Sequence, residues 1–407
     1  MGHHHSGKIS TGENTRDRSI MIKQMNEKEL ITIEQIEPII PEDTDYNFYF
    51  GPAHSGSGNF GVKLRIEGER VTSARADPGY LHRGFEKLME YRVPMQNAVL
   101  SDRVCIFEAL NWNLVHAEAV DELTGVEVPQ RARYIRVLMA ELSRLQSHLI
   151  WYGAMSLGLG FDTGFKVAFG YRDYILDIFE LITGGRVYPA GYICPGGVRR
   201  DLPEGSKDKI KKVLGQTEEM MRKMKDFDNI VFSRRTRGVG ILSTEDAMRL
   251  GATGPVLRAC GVETDVRKED PYEIYEELDF DIPVRREGDA YSRCLIRERE
   301  MEESIKIIKQ VLGKIPEGKF REPVKMTPPS RVKIPEGEVY VRNELARGEG
   351  CAYMRSIGEG EPYRVKLRGP DFLHMIPVLE HLLKGAQIAD IPAIYWSLNI
   401  CPADMDR

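Results

Sequence analysis

The sequence predicts an α+β protein in which a central helical bundle is flanked by small β regions near both ends, and three observations carry that expectation. Near the start, apolar Val62, Leu64 and Ile66 alternate with charged residues, the chain turns at Gly68 and the apolar positions resume at Val71, the pattern of a hairpin. In the middle, Ile135, Leu138, Leu142, Leu145 and Leu149 recur at the spacing of one helix face. After "KIPEGK" at 314–319 the chain becomes rich in proline and glycine and strand-like again.

Taken in order, residues 45–80 are expected to be β-rich and 85–315 to form the helical core. A helix is predicted over about 131–157, and a second follows until Gly184-Gly185 ends it. Another is predicted near 205–226, with Ile210, Val213, Leu214 and Met221 as its apolar face. Ser243-Thr-Glu-Asp246 resembles a capping box opening a short helix that stops at Gly251, and Met301 to Leu312 is amphipathic again. Residues 330–407 read as strands through Tyr340, Tyr353 and Val365, then as a helical stretch interrupted at Pro377. With no internal repeat and no low-complexity linker, residues 21–407 are expected to be a single domain. The opening "MGHHHSGKISTGENTRDRS" resembles an added expression leader, so residues 1–20 and their three histidines are given no functional role, and Met21 is a candidate natural start.

The 407 residues are 42% hydrophobic, enough to supply a substantial core, and 29% charged with a net charge of −5. No basic block stands out, so neither nucleic acid nor an anionic lipid surface is an expected partner. No apolar run approaches the roughly 18 to 20 residues of a bilayer span, and no secretory signal opens the chain, which is expected to be soluble by itself. Six cysteines, Cys105, Cys194, Cys260, Cys294, Cys351 and Cys401, are scattered without a C-x-x-C. That pattern fits neither a ferredoxin-type cluster nor a zinc ribbon, and a reduced cytoplasmic setting is expected.

The final residues, "NICPADMDR", place Cys401 three positions before Asp404, and "LSDRVC" mirrors that spacing with Asp102 and Cys105. If 102–105 were helical, both side chains would share a face, and the two pairs could converge as two sulfurs and two oxygens. The alternative is ordinary: a buried cysteine acts as a small hydrophobe and an aspartate caps a helix. "GPAHSGSGNFG" at 51–61 lacks the Lys-Ser/Thr of a phosphate-binding loop; it either carries His54 toward a cavity or simply connects a hairpin. Glu141, Arg144 and His148 form a polar stripe on the long helix that could line a pocket, carry protons or form an internal ion pair. "RRTRGVG" at 234–240 either holds an anion or is a solvated surface.

Together these segments resemble the large subunits of membrane-bound nickel-iron hydrogenases and their relative, the 49-kilodalton-type subunit of respiratory complex I. The resemblance runs from "GPAHSGSGNFGVKLRIEGERV" through "GYLHRGFEKLME", "AELSRLQSHLIW", "PGGVRRDLP", "GATGPVLRACGVETDVRKEDPY", "GDAYSRCLIRERE", "EPYRVKLRGPDF" and "ADIPAIYWSLN" to Asp406-Arg407. It implies a hydrogenase large-subunit-like fold. In the hydrogenases two C-x-x-C pairs hold nickel and iron, whereas the matching positions here are Asp102, Cys105, Cys401 and Asp404. Two thiolates are thus replaced by hard carboxylates, which should weaken such a cluster, and a nickel-iron centre is expected to be absent. The end of the chain also lacks the cleavable tail of many nickel-inserting homologues. Against the complex I pattern, Cys105 stands at an aspartate, Ile106 at a quinone-binding tyrosine and Gly158 at an aspartate that supports the headgroup-binding histidine; His54 alone matches the quinone side.

The D-x-x-C and C-x-x-D pairs look instead like the large catalytic subunit of the archaeal membrane-bound sulfane sulfur (polysulfide) reductases. That resemblance implies a peripheral subunit on the cytoplasmic face of the cell membrane, packed against a small iron-sulfur subunit that carries a four-iron four-sulfur cluster. Ferredoxin would supply electrons to the complex, and other hydrophilic and antiporter-like membrane subunits would couple the reaction to ion transport. Polysulfide would enter a cavity walled by this chain, the redox centre nearest it would belong to the partner, and whether the two cysteines and two aspartates bind a metal or act directly stays open. Asp102 and Asp404 are candidate proton donors, Cys105 and Cys401 would bind or exchange sulfane sulfur, and His54 would attract the anionic substrate. Two alternatives stay open: a quinone-reducing complex I-like subunit, and a structural coupling subunit without chemistry of its own.

Overall fold

A computed structural model of the chain describes residues 46–52, 59–227, 230–322 and 334–407. The expected leader and His54 lie outside the described residues. Residues Asn47–Arg407 form one unit.

Strands β1 (Tyr46–Phe50), β2 (Gly61–Glu67) and β3 (Arg70–Asp77) make a sheet in that order. β2 and β3 are the expected hairpin, antiparallel from Gly61↔Asp77 to Glu67↔Arg70, with an irregularity between Arg65 and Ile66. The alternation has its physical consequence: Val62, Leu64 and Val71 are buried while Lys63 and Glu67 face out. The Val71 amide then donates to the Ala386 carbonyl at 2.9 Å, tying this sheet to the C-terminal region.

Helices α1 (Pro94–Ser101), α2 (Ala109–Thr124), α3 (Gln130–Gly158), α4 (Asp162–Thr183), α5 (Ser206–Phe227) and α6 (Ala290–Lys314) form the bundle. α3 is its axis: Ile135, Leu138, Leu142, Leu145 and Leu149 are completely buried against α4 and α6. Each such side chain contributes about 1.5–3 kcal/mol by leaving water. α4 ends where Gly184 adopts φ +84°, a left-handed cap, as the paired glycines predict. The Ser243 side chain accepts from the Asp246 amide and opens the short helix Thr244–Arg249, the N-cap half of the expected capping box.

At the C-terminal end, β4 (Gly337–Leu345), β5 (Gly348–Ser356) and β6 (Arg364–Arg368) form an antiparallel sheet in that order. β4 packs along α2. The expected interruption at Pro377 is a π-helical turn over His374–Val378, where the missing proline N–H breaks the regular ladder. Helices α7 (Ile391–Leu398) and α8 (Pro402–Asp406) close the chain. The Asp406 carboxylate accepts from the amides of Gly79 and Leu81 at 2.9 and 2.8 Å, and Arg407 Nε donates to Glu86 at 3.0 Å. The last residues are thereby fastened beside the segment that leads into the bundle.

Candidate functional site

Cys401 and Asp404 stand at the start of α8. Cys401 is its N-cap residue in extended conformation, Pro402 takes the first helical position, and the Asp404 amide donates to the Cys401 carbonyl at 3.0 Å. The three-residue spacing therefore puts thiol and carboxylate in the first turn of a short helix. The matching pair is built differently: α1 ends at Ser101 and residues 102–107 are turns, so 102–105 is not helical and the shared-face premise fails there.

The two segments nevertheless meet. Cys105 and Cys401 are both about 1% exposed, neither is in a disulfide, and each thiol lies near enough to shift the other's ionisation. Two arginines hold the meeting point. Arg83 Nη2 donates to the carbonyls of Val104 and Ala403 at 3.3 and 3.2 Å, joining the residue before one cysteine to the second residue past the other. Arg347, buried in the turn between β4 and β5, donates from Nη1 to Cys105 Sγ at 3.2 Å and from Nε to the Asn399 carbonyl at 2.8 Å, and pairs with Glu108.

Asp371 and Asp404 complete the cluster. Asp371 Oδ2 accepts from the Cys401 amide at 3.1 Å and lies 3.5 Å from Arg347 Nε. The Asp371 amide approaches Asp404 Oδ2 at 3.4 Å. One oxygen of each carboxylate, Oδ1, is buried without a protein partner, as is Arg347 Nη2. Gly369 makes room for this arrangement, because a Cβ there would lie 1.8 Å from Asp404 Oδ2.

Burial opposes ionisation of every group here, and their neighbours decide which ionises. For Cys401, the neighbouring Cys105 thiol, the Arg347 charge and the amides of Asp404 and Ile106 outweigh burial and bring the thiol down to about 6. Cys105 moves the opposite way, pushed well up by burial and its partner thiol, so the pair shares one proton. Burial and the Cys401 thiolate push Asp404 up to about 7, and burial with Asp404 raises Asp371 well above the carboxylate range. The site thus combines a stabilised thiolate with a neutral acid beside it.

Asp102 does not join them. Both of its oxygens accept from the Gly191 amide, at 3.1 and 3.0 Å, and burial raises it to about 6. The expected convergence of two sulfurs and two oxygens is reduced to Cys105, Cys401 and Asp404. Among the described residues no group of three or more His, Cys, Asp or Glu side chains is placed to hold a metal ion. With Asp102 taken up by backbone and only two thiols present, the site does not fit a nickel-iron centre.

Sequence reasoning misses Arg347, Glu108, Asp371 and Arg83. The stripe on α3 turns out to be a buried ionic network: Glu141 bonds Arg144, Arg267, Tyr275 and Ser304, and His148 Nε2 lies 3.0 Å from Glu300 Oε2. In the "RRTRGVG" stretch, Arg235 donates to the Ala389 carbonyl and Arg237 stacks over Tyr291. At the end of α3, a Cβ on Gly158 would lie 2.5 Å from the Trp396 ring, so the indole fills the space that an aspartate would need.

Residues 158–407 match the family described as respiratory-chain NADH dehydrogenase, 49 Kd subunit, and residues 83–158 match the nickel-dependent hydrogenases. A subunit of the NADH-quinone oxidoreductase of Thermosipho melanesiensis is 40% identical over 370 residues, covering 89% of this chain and all of that protein. A subunit of the F(420)H(2) dehydrogenase of Methanosarcina mazei is also 40% identical, over 90% of this chain and 99% of its own length. Among solved structures, the membrane-bound sulfane sulfur reductase, an archaeal respiratory membrane complex, contains a chain that is 42% identical and superposes with a TM-score of 0.87, over 90% of this chain and all of that one.

Proposed function

Because this chain belongs to the family of the respiratory-chain NADH dehydrogenase 49 Kd subunit, we propose that it is the subunit of a membrane-bound oxidoreductase complex that walls the site where sulfane sulfur is reduced. It has no helix among its described residues long and apolar enough to cross a membrane, in keeping with a peripheral subunit; the cytoplasmic face is the side proposed. Relatives of nearly equal identity belong to an NADH-quinone oxidoreductase and to a sulfane sulfur reductase complex, so overall similarity does not choose the acceptor. The observation that carries the sulfur reading is the meeting of two buried free thiols, Cys105 and Cys401, with Arg347 Nη1 3.2 Å from Cys105 Sγ and Asp404 in the same first turn as Cys401.

In this reading the Cys401 thiolate attacks a sulfur of the polysulfide chain, the S–S bond breaks, and the leaving sulfur anion takes its proton from Asp404. The resulting persulfide on Cys401 is attacked by Cys105, releasing hydrosulfide and joining the two cysteines in a disulfide. Returning that disulfide to the dithiol takes two electrons, which a four-iron four-sulfur cluster held by a neighbouring small subunit and fed by ferredoxin would supply one at a time. Each turnover consumes two electrons and two protons per S–S bond cleaved. Arg83 and Arg347 supply positive charge for an anionic substrate, His54 is proposed to add to it, and Asp102, fixed on the Gly191 amide, is a more distant proton donor. Coupling to ion transport belongs to the membrane subunits of the proposed complex.

Replacing Cys105 and Cys401 by alanine in the assembled complex tests the direct thiol role. Loss of polysulfide turnover is expected. Unchanged turnover would leave all sulfur chemistry to the neighbouring cluster. The quinone reading rests on the family itself, and the Trp396 indole against Gly158, with Ile106 beside Cys105, weighs against it.

A further inference from the structure

Helix α2 ends against its own dipole. Glu118, Asp121 and Glu122 crowd its final turns, no basic residue stands in the last one, and Glu127 follows three residues beyond the helix. Carboxylates are unfavourable at the C-terminal end of a helix, and Glu118 and Glu122, four residues apart on one face, also repel each other. Asp121 is compensated, accepting from Arg136 Nη2 and from the Gly196 amide, both at 2.7 Å. Glu118, Glu122 and Glu127 have no ion-pair partner among the described residues.

All four line a cleft of about 620 Å³ bordered by α2, the start of α3 and β4. With Asp270 and Glu273 its lining carries six carboxylates against three guanidinium groups, and those three are already engaged. Arg136 meets Asp121 and Glu273, both at 2.7 Å, Arg133 meets Glu273 at 3.5 Å, and Arg342 meets Asp270 at 3.0 Å. Against the cleft wall, Asn343 Nδ2 donates to Glu118 Oε2 at 2.7 Å, yet Asn343 Oδ1 and Glu118 Oε1 are buried without a partner. Asn343 is 1% exposed, and a buried amide oxygen can only accept, so it calls for a donor. Burial, and then the Glu273 carboxylate, hold the Glu118 carboxyl well above its ordinary value, the mark of a negative field that a further cation would relieve. Tyr340 and Tyr272 supply the apolar part of the wall, each held by its hydroxyl, the first on Cys351 Sγ at 3.0 Å and the second on the Glu344 amide at 3.3 Å.

We propose that this cleft is a docking socket for a basic side chain, arginine or lysine, of a neighbouring subunit, with Glu118 and Asn343 receiving its charged head and Glu122 and Glu127 holding the rim. A guanidinium or ammonium group supplies what the cleft lacks, N–H donors for the two free oxygens and positive charge at the end of α2. Its aliphatic stem would pass the rings of Tyr272 and Tyr340. A metal ion is a poorer occupant, because no three acidic side chains among the described residues are placed to hold one. Water would satisfy the oxygens and leave the excess charge in place. The socket rests on the reading of this chain as a subunit of a larger complex, whichever acceptor that complex reduces.

The test treats the assembled complex and the separated subunit with a carbodiimide and an added amine, which turns accessible carboxylates into amides, and reads the peptides by mass spectrometry. Glu122 and Glu127, exposed in this chain, should label in the separated subunit and lose that labelling in the complex. Glu122→Lys combined with Glu127→Lys should melt no lower than the unaltered subunit, since lysine suits the end of α2. The same variant should lower the yield of assembled complex by about 10-fold or more, with Glu122→Gln and Glu127→Gln together falling between. Equal labelling of both carboxylates in the two forms would overturn the socket. Protection with undiminished assembly of the lysine variant would overturn it too, because the group covering the cleft would then not be basic. No electron acceptor enters either measurement, so failure of the socket is distinct from failure of the sulfur reading.

Discussion

Arg347 Nη1 lies 3.2 Å from the sulfur of Cys105, and the same side chain reaches the Asn399 carbonyl just before Cys401. One guanidinium from a hairpin turn therefore joins two cysteines contributed by segments far apart in the chain. Its charge favours a thiolate in a place where burial alone would forbid one.

If Cys401 is the nucleophile, polysulfide added without reductant should leave a mass increase of one or more sulfur atoms on the peptide that contains it. Cys105→Ala should accumulate that adduct, having lost the thiol that resolves it, and Cys401→Ala should abolish it. Mass spectrometry of the two variants reads the order of attack directly.

The rate should depend on pH as a narrow bell. Cys401 must be ionised, giving a rising limb near 6, and Asp404 must be protonated, giving a falling limb near 7. Asp404→Asn should lose the falling limb and about 10²-fold or more of the rate. Stability follows the same sign. A carboxyl whose folded value is raised contributes stability that is fully present below its unfolded value of 3.8 and is lost as pH rises through about 6 for Asp102 and about 7 for Asp404. Thermal melting across pH 5 to 8, compared between the unaltered chain and Asp404→Asn, should show a shallower loss in the variant.

Gly369→Ala should disturb the site without changing any polar group. The added methyl would meet the Asp404 carboxylate, and displacing it costs about 1–3 kcal/mol. Turnover should fall with it, whereas Gly313→Ala, where a Cβ meets nothing within 4 Å, should leave both stability and rate nearly unchanged.

The Glu141 network gives a contrasting expectation. Glu141→Ala leaves Arg144 and Arg267 buried without their shared carboxylate and should destabilise the chain by about 3–5 kcal/mol, read as a lower melting temperature and poorer assembly. Equal loss of activity with every acceptor per assembled complex would assign the stripe to proton transfer instead.

The fold is legible where one face of an element is apolar and the other is not. The 62–77 hairpin and α3 announce themselves through spacing, and Ser243 and Gly184 mark ends by chemistry that only caps require. α2 escapes a reading by periodicity because Trp112, Leu114, Val115, Ala117 and Val120 are buried around most of its circumference, which erases the stripe. The cysteine and aspartate pairs stand out by their mirrored spacing, yet spacing does not say that Asp102 turns to a backbone amide. Arg347 and Asp371 are hidden because each lies in or beside a turn distant in sequence from Cys105, and only the packing of the β4–β5 hairpin near the last helix makes them neighbours.

The central claim is most directly tested by sulfide release from polysulfide, or from an organic trisulfide, by the assembled complex supplied with reduced ferredoxin. The account predicts release that depends on this complex and is lost with Cys401→Ala. Electrons passing to quinone or to protons, with no sulfide released, would contradict it.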